Sequence, residues 1–116
     1  YPVRLLHNLS KDARQRVIEV LLKKRTLKEL ANELGVTEAA VSKFWRGIIH
    51  PSDETLMRAL EIADEEERRE IMDIAFEDLV DAIEELLVDE RYREKLREIL
   101  NSFDKKVEKP LLSGLI

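Results

Sequence analysis

The sequence predicts an all-α chain in which two short helices, joined by a tight turn, are followed by a longer helical extension. Three observations predict it. Apolar residues recur at helical spacing almost throughout, and no useful stretch alternates as a strand would. Ser, Thr and Asp stand at helix-capping positions, twice with Glu three residues on. Residues 26–46, TLKELANELGVTEAAVSKFWR, hold Ala31 four residues before Gly35 and Val41 six after it. A small residue, a turn glycine and a β-branched residue at that spacing let two helices cross in contact.

Each element has its own signal. Residues 1–9 form an N-terminal segment whose Val3, Leu5, Leu6 and Leu9 need an apolar partner. Ser10 caps a helix over about 11–24, with Ala13, Val17, Ile18, Leu21 and Leu22 on one face. Thr26 and Glu29 form a capping box that starts the next helix, and Thr37 caps the one after the turn. Pro51-Ser52 announces a helix over about 53–63 with Leu56, Leu60 and Ile62 apolar. Asp64 and Glu67 make a second capping box, read as a solvated helix start, and that helix is predicted to run to about Val88. Asp89 starts a last helix to about Phe103. The tail, 105–116, contains Pro110 and Gly114 and is predicted irregular, with Leu111, Leu112, Leu115 and Ile116 free to dock.

Composition bounds the function. The 116 residues are 44% hydrophobic but only 5% aromatic, so the core is built from Leu, Ile, Val and Ala. Charged residues reach 39%, and with no Cys and few Asn or Gln this leans towards a thermophilic source. Absence of Cys removes disulfides and thiolate metal sites and fits an intracellular protein. No apolar run is long enough to span a bilayer, no signal peptide is visible, and a start at Tyr1 rather than Met implies chain upstream. The net charge of −5 is divided. Residues 1–50 carry ten bases against five acids, and residues 51–116 carry ten bases against twenty acids. The basic half can attract phosphate; the acidic half is expected to face away from it. No phosphate loop or nucleophile–base order is present, so an enzyme is not expected. His7 and His50 stand alone, so neither a metal nor a cofactor is expected.

The match extends past the turn. Arg46-Gly47, three residues, then Pro51-Ser52-Asp53-Glu54-Thr55-Leu56 and Ala63 follow in order. This pattern resembles the lambda-repressor-like family, the Cro/cI or xenobiotic-response-element type of helix-turn-helix. The resemblance covers about residues 10–75. It implies a five-helix domain, double-stranded DNA as partner, and a second motif helix that enters the major groove.

The resemblance places the recognition helix at 37–46, with Glu38, Ala39, Ser42 and Lys43 outward and Ala40, Val41 and Phe44 inward. Lys43 suits guanine O6 or N7, Glu38 suits cytosine N4, and the Ala39 methyl suits thymine. Thr37, Ser42 and Arg46 fit backbone contacts, as do Thr26 and Lys28 at the start of the preceding helix. Lys23, Lys24 and Arg25 suit a helix C-terminus and could also meet phosphate. The chain departs from the family at three places: Leu27 stands where Gln is common, Trp45 where Glu is common, and Ile48-Ile49-His50 replaces a basic loop. Trp45, Ile48 and Ile49 form either an exposed partner patch or, as the favoured reading, a surface covered by residues 1–9.

Beyond the domain, Met72, Phe76, Leu79, Ile83 and Leu86 recur at alternating spacings of four and three, and Tyr92, Leu96, Ile99 and Phe103 continue the pattern. That is a heptad seam. Ile71, Ile74, Ala75, Val80, Ala82 and Leu87 broaden it. Residues 76–104 are therefore read as a helical extension that pairs two subunits, the alternative being a hairpin folded on its own core. The leading functional expectation is a cytoplasmic, nucleoid-associated transcriptional repressor that reads a pseudo-palindrome as a homodimer. Two alternatives stay open: an adaptor or antitoxin-like protein with a protein partner at the acidic half, and a replication, partition or recombination accessory factor.

Overall fold

Seven helices follow one another in the computed structural model, which describes the backbone of residues 3–115 and the side chains of residues 4–107. They are α1 (Val3–His7), α2 (Lys11–Leu22), α3 (Leu27–Leu34), α4 (Glu38–Trp45), α5 (Asp53–Ile62), α6 (Glu65–Glu84) and α7 (Glu90–Leu115). No strand occurs among the described residues. The chain divides into two compact units, one to Val80 and one from Asp81.

In the first unit every predicted cap forms. Ser10, Thr26, Thr37 and Ser52 each accept a hydrogen bond from the backbone N–H three residues on. Thr26 with Glu29, and Asp64 with Glu67, bond reciprocally as capping boxes. Each cap satisfies amide groups that a helix start would leave without partners. The apolar stripes then close one core. Leu6, Ala13, Val17, Ile18, Leu21, Leu30, Val41, Leu56, Leu60 and Ile71 are fully or almost fully buried in it. The N-terminal segment contributes a helical turn, α1, which packs on α5 and buries Leu6 and Leu9.

Charge pairing adds a second layer that the helical spacing does not reveal. Lys24 meets Asp64 at 2.8 Å and Glu66 at 3.4 Å, Lys23 meets Glu70 at 3.3 Å, and Arg16 meets Glu77 at 3.6 Å. At the far end Asp78 accepts from the Ser10 hydroxyl and from its backbone N–H. Descending positions on α2 meet ascending positions on α6, so the two helices run antiparallel. Asp64, Glu66, Glu70 and Glu77 thereby pair with bases on and just after α2.

One of these pairs is buried. Glu67, expected to be solvated, is 2% exposed, because α6 starts directly under Arg25. The Arg25 guanidinium donates to both Glu67 oxygens, at 2.5 and 3.2 Å, and also to Glu33, Leu21 O and Ile62 O. It thereby joins α2, α3, α5 and α6. Arg14 plays a similar part on the other side. It donates to the carbonyls of Leu6, His7, Leu9 and Pro51 and to Asp53, which His7 also meets at 2.6 Å.

The second unit holds the end of α6, a turn and α7. α6 stops at Glu84 rather than near Val88 because its last carbonyls are taken by i+3 bonds, from Leu86 N to Ile83 O and from Leu87 N to Glu84 O. Arg93 Nη1 then donates to Leu87 O at 2.6 Å. α7 continues to Leu115 instead of ending near Phe103, so the tail is helical through Pro110. Asp104 to Val107 contain no breaker; Pro110 lacks a backbone donor and crowds the carbonyl four residues before it, and nothing in the structure explains why the helix passes it. Packing of Val3, Leu111, Leu112, Leu115 and Ile116 lies outside the described side chains. Among residues 81–107 no side chain is buried. Ile83, Leu86, Leu87, Tyr92, Leu96 and Ile99 line an apolar groove of about 170 Å³.

Two outcomes are expected. Glu67→Ala leaves Arg25 without its buried partner and should cost about 3–5 kcal/mol in chemical denaturation, while a paired Arg25→Met/Glu67→Met variant should regain most of it. A wild-type midpoint for Glu67→Ala would show the pair to be dispensable. The carboxyls of Asp53, beside His7 and Arg14, of Asp64, beside Lys24, and of Glu29, bonded to Thr26, are all held below their ordinary values. Each therefore contributes its stability above the unfolded carboxyl range, and that stability is lost as pH falls. The unfolding midpoint should be level from about pH 5 to 7 and drop below about pH 4.

Candidate nucleic-acid interface

The turn between α3 and α4 forms through backbone chemistry. Gly35 closes α3 with φ of 72°, a left-handed conformation that costs a side-chain-bearing residue more than glycine. Val36 N donates to Ala31 O at 3.0 Å and Gly35 N to Asn32 O at 3.3 Å, the double closure of a Schellman motif. α4 ends in the same way. Gly47 has φ of 73°, with Ile48 N donating to Lys43 O and Gly47 N to Phe44 O. Both helices of the motif are thus stopped by a glycine, and α4 is presented as two rigid turns.

Packing sets which face of α4 is free. Val41 and Phe44 are buried and Ala40 is half-buried, seated on α2 and α3. Glu38, Ala39, Lys43, Trp45 and Arg46 are exposed, and Ser42 is half-buried. The exposed side chains fill one arc of the helix. Thr26, Lys28 and Thr37 are exposed at the starts of α3 and α4. Thr26 and Thr37 have their hydroxyl oxygens committed to Glu29 N and Ala40 N.

Sequence reasoning missed the residue that fixes the far end of α4. Gln15 Nε2, on α2, donates to Trp45 O at 2.8 Å. Its carboxamide also lies so close to Gly47 that an added Cβ would meet it at 3.1 Å. A lone glutamine on a helix carries no spacing signal, which is why it passed unnoticed.

Two expectations are corrected by the geometry. Trp45, Ile48 and Ile49 are not covered by the N-terminal segment: they are 52%, 57% and 40% exposed. α1 has its apolar partner in α5, so nothing of it is left to cover the end of α4. Lys23, Lys24 and Arg25 are not free for phosphate either, since Glu70, Asp64, Glu66, Glu67 and Glu33 pair with them. Of the ten Lys and Arg in residues 1–50, Arg14 and Arg16 are paired as well. Among the described residues, Arg4, Lys11, Lys28, Lys43 and Arg46 have no carboxylate within 4.0 Å. Three of these five stand on the α3–α4 motif.

Residues 18–66 match a protein family described as helix-turn-helix, of the Cro/C1 type. No curated protein and no solved structure matches the chain. The matched span covers the end of α2, all of α3, α4 and α5, and the capping box of α6. Residues 18–66 therefore form a lambda-repressor-like helix-turn-helix domain, and that domain supports a DNA-binding role in general.

Proposed function

We propose that this lambda-repressor-like protein is a sequence-specific transcriptional repressor that binds a pseudo-palindrome as a homodimer, one α4 in each major groove. The observation that carries the reading is the distribution of unpaired cations. Acids of residues 53–77 pair with Arg14, Arg16, Lys23, Lys24 and Arg25, while Lys28, Lys43 and Arg46 on the motif have no carboxylate within 4.0 Å among the described residues. Lys43 reads guanine, Glu38 cytosine and Ala39 a thymine methyl. Thr26, Lys28, Thr37, Ser42 and Arg46 hold the sugar–phosphate backbone. Occupying the site blocks other proteins from the same duplex.

Dimerisation is the second part of the proposal. The second unit has no buried side chain of its own among the described residues, and Ile83, Leu86, Tyr92, Ile99 and Phe103 are all more than a third exposed. A two-helix unit with that much apolar surface gains stability by covering it. In the first unit Met72 and Phe76 are likewise exposed, and Leu79 is half-buried. A different reading, an adaptor that binds an unrelated protein, draws on the same exposed apolar surface. It leaves the free cations of the motif without a use.

Affinity for a duplex should fall steeply with salt, with a log–log slope of about −3 to −5 per subunit for three to five neutralised phosphates. A flat response contradicts DNA binding. Lys43→Ala should cost about 1–3 kcal/mol and relax preference at one base pair; an equal loss on every sequence would make it a backbone contact only. Because Phe76 and Ile83 are exposed in the monomer, Phe76→Asp with Ile83→Asp should leave the fold intact and halve the mass seen by sedimentation. An unchanged mass rejects the seam as the dimer contact.

A further inference from the structure

Two apolar stripes outside the buried core share one spacing. Met72, Phe76, Leu79 and Ile83 on α6 stand four, three and four residues apart, and so do Tyr92, Leu96, Ile99 and Phe103 on α7. Both stripes are open to solvent: Phe76 is 68% exposed and Phe103 57%, and in each stripe only the leucine is half-buried. The charges around them are opposite. Residues 70–90 hold nine acids and no Lys or Arg, whereas residues 91–107 hold six bases and three acids.

The edges of the stripes match as well. Asp73 and Glu84 are eleven residues apart on α6, and Lys95 and Lys106 are eleven apart on α7. Eleven residues make almost three full turns, so each pair lies on one edge of its helix, about 16 Å apart. Asp73 and Glu84 come directly after Met72 and Ile83, and Lys95 comes directly before Leu96. All four are exposed, and among the described residues none has an oppositely charged group within 4.0 Å. Setting α6 against a second α6 brings acids to acids, and setting α7 against a second α7 brings an excess of bases to bases. Setting α6 against α7 joins equal stripes and opposite charges. An unrelated partner would have to reproduce both the spacing and the charge that α7 already has.

We propose that α7 of one copy lies along the Met72–Ile83 stripe on α6 of a second copy, and reciprocally, so that Asp73 and Glu84 meet the partner's Lys95 and the partner's Lys106. Such an exchange is isologous and closes as a dimer. It rests on the homodimer reading and adds which surface meets which: the stripes supply the buried area, and the charged edges reject like against like.

Two charge-reversed full chains test it: Asp73→Lys with Glu84→Lys, and Lys95→Glu with Lys106→Glu. Each is run by sedimentation velocity at low salt without DNA, so the DNA reading has no bearing on the result. The wild type is expected at twice the chain mass and each variant alone at the mass of one chain. An equal mixture of the two variants is expected at twice the mass again, because a mixed pair sets opposite charges together at both contacts. A wild type at single-chain mass overturns the homodimer reading, and this exchange with it. Variants that each keep the doubled mass leave the homodimer standing on another contact and overturn the exchange alone. Variants that stay single in the mixture overturn it too, since their charges then act within one chain. Should a variant lose its helical circular dichroism, the absence of Cys from the chain gives a second readout. Glu84→Cys chains mixed with Lys95→Cys and Lys106→Cys chains should form, on mild oxidation, mixed disulfides in preference to same-variant ones; an excess of same-variant disulfides contradicts the exchange.

Discussion

The ion pair between Arg25 and Glu67 is the constraint on which the rest of the first unit depends. Arg25 ends the turn after α2 and immediately precedes the cap of α3, so its position sets where the helix-turn-helix begins. Glu67 is at once the third residue of a capping box and the buried acceptor of Arg25. The same guanidinium reaches Glu33 on α3 and Ile62 O at the end of α5. Four helices are thereby indexed to one planar group. A buried pair of this kind adds little net stability over an apolar replacement, but it penalises any arrangement that leaves one partner alone. Its role here is to select one register of α6 against α2.

That register has an electrostatic consequence for function. With α6 antiparallel to α2, the acids of residues 64–78 fall opposite the bases of residues 10–25, and the two sets cancel locally. Among the described residues of 1–50, Lys28, Lys43 and Arg46 on the helix-turn-helix are left without a carboxylate within 4.0 Å, while Arg14, Arg16, Lys23, Lys24 and Arg25 are paired. Net charge predicts poorly for such a chain; the pairing pattern decides which charges a polyanion would meet. Gln15 and the two left-handed glycines complete the scaffold by fixing both ends of α4 without using any side chain on its exposed arc.

Local chemistry was the legible part of the sequence. Ser10, Thr26, Thr37, Ser52 and Asp64 all cap where their types and spacings predict, because a cap involves only residues within one turn. Gly35 and Gly47 close helices for the same local reason. The split of α4 into an exposed arc and a buried strip of Val41 and Phe44 is the one the family resemblance implied. What could not be read depends on which element lies opposite. Glu67 looks like any acid in the run Asp64 to Glu67 until α2 is placed above it. Trp45, Ile48 and Ile49 looked coverable by residues 1–9, and only the packing of α1 on α5 removes that cover. The end of α6 at Glu84 turns on carbonyl partners, which apolar spacing does not encode, and α7 passes Phe103 because no breaker stands at Asp104 to Val107.

The most direct test of the account is selection of bound duplexes from a random library by the purified full chain. The account predicts an enriched inverted repeat, with two half-sites related by the symmetry of a dimer and separated by about one or more helical turns. Failure to enrich any motif, by protein shown to be folded, would contradict sequence-specific recognition through α4.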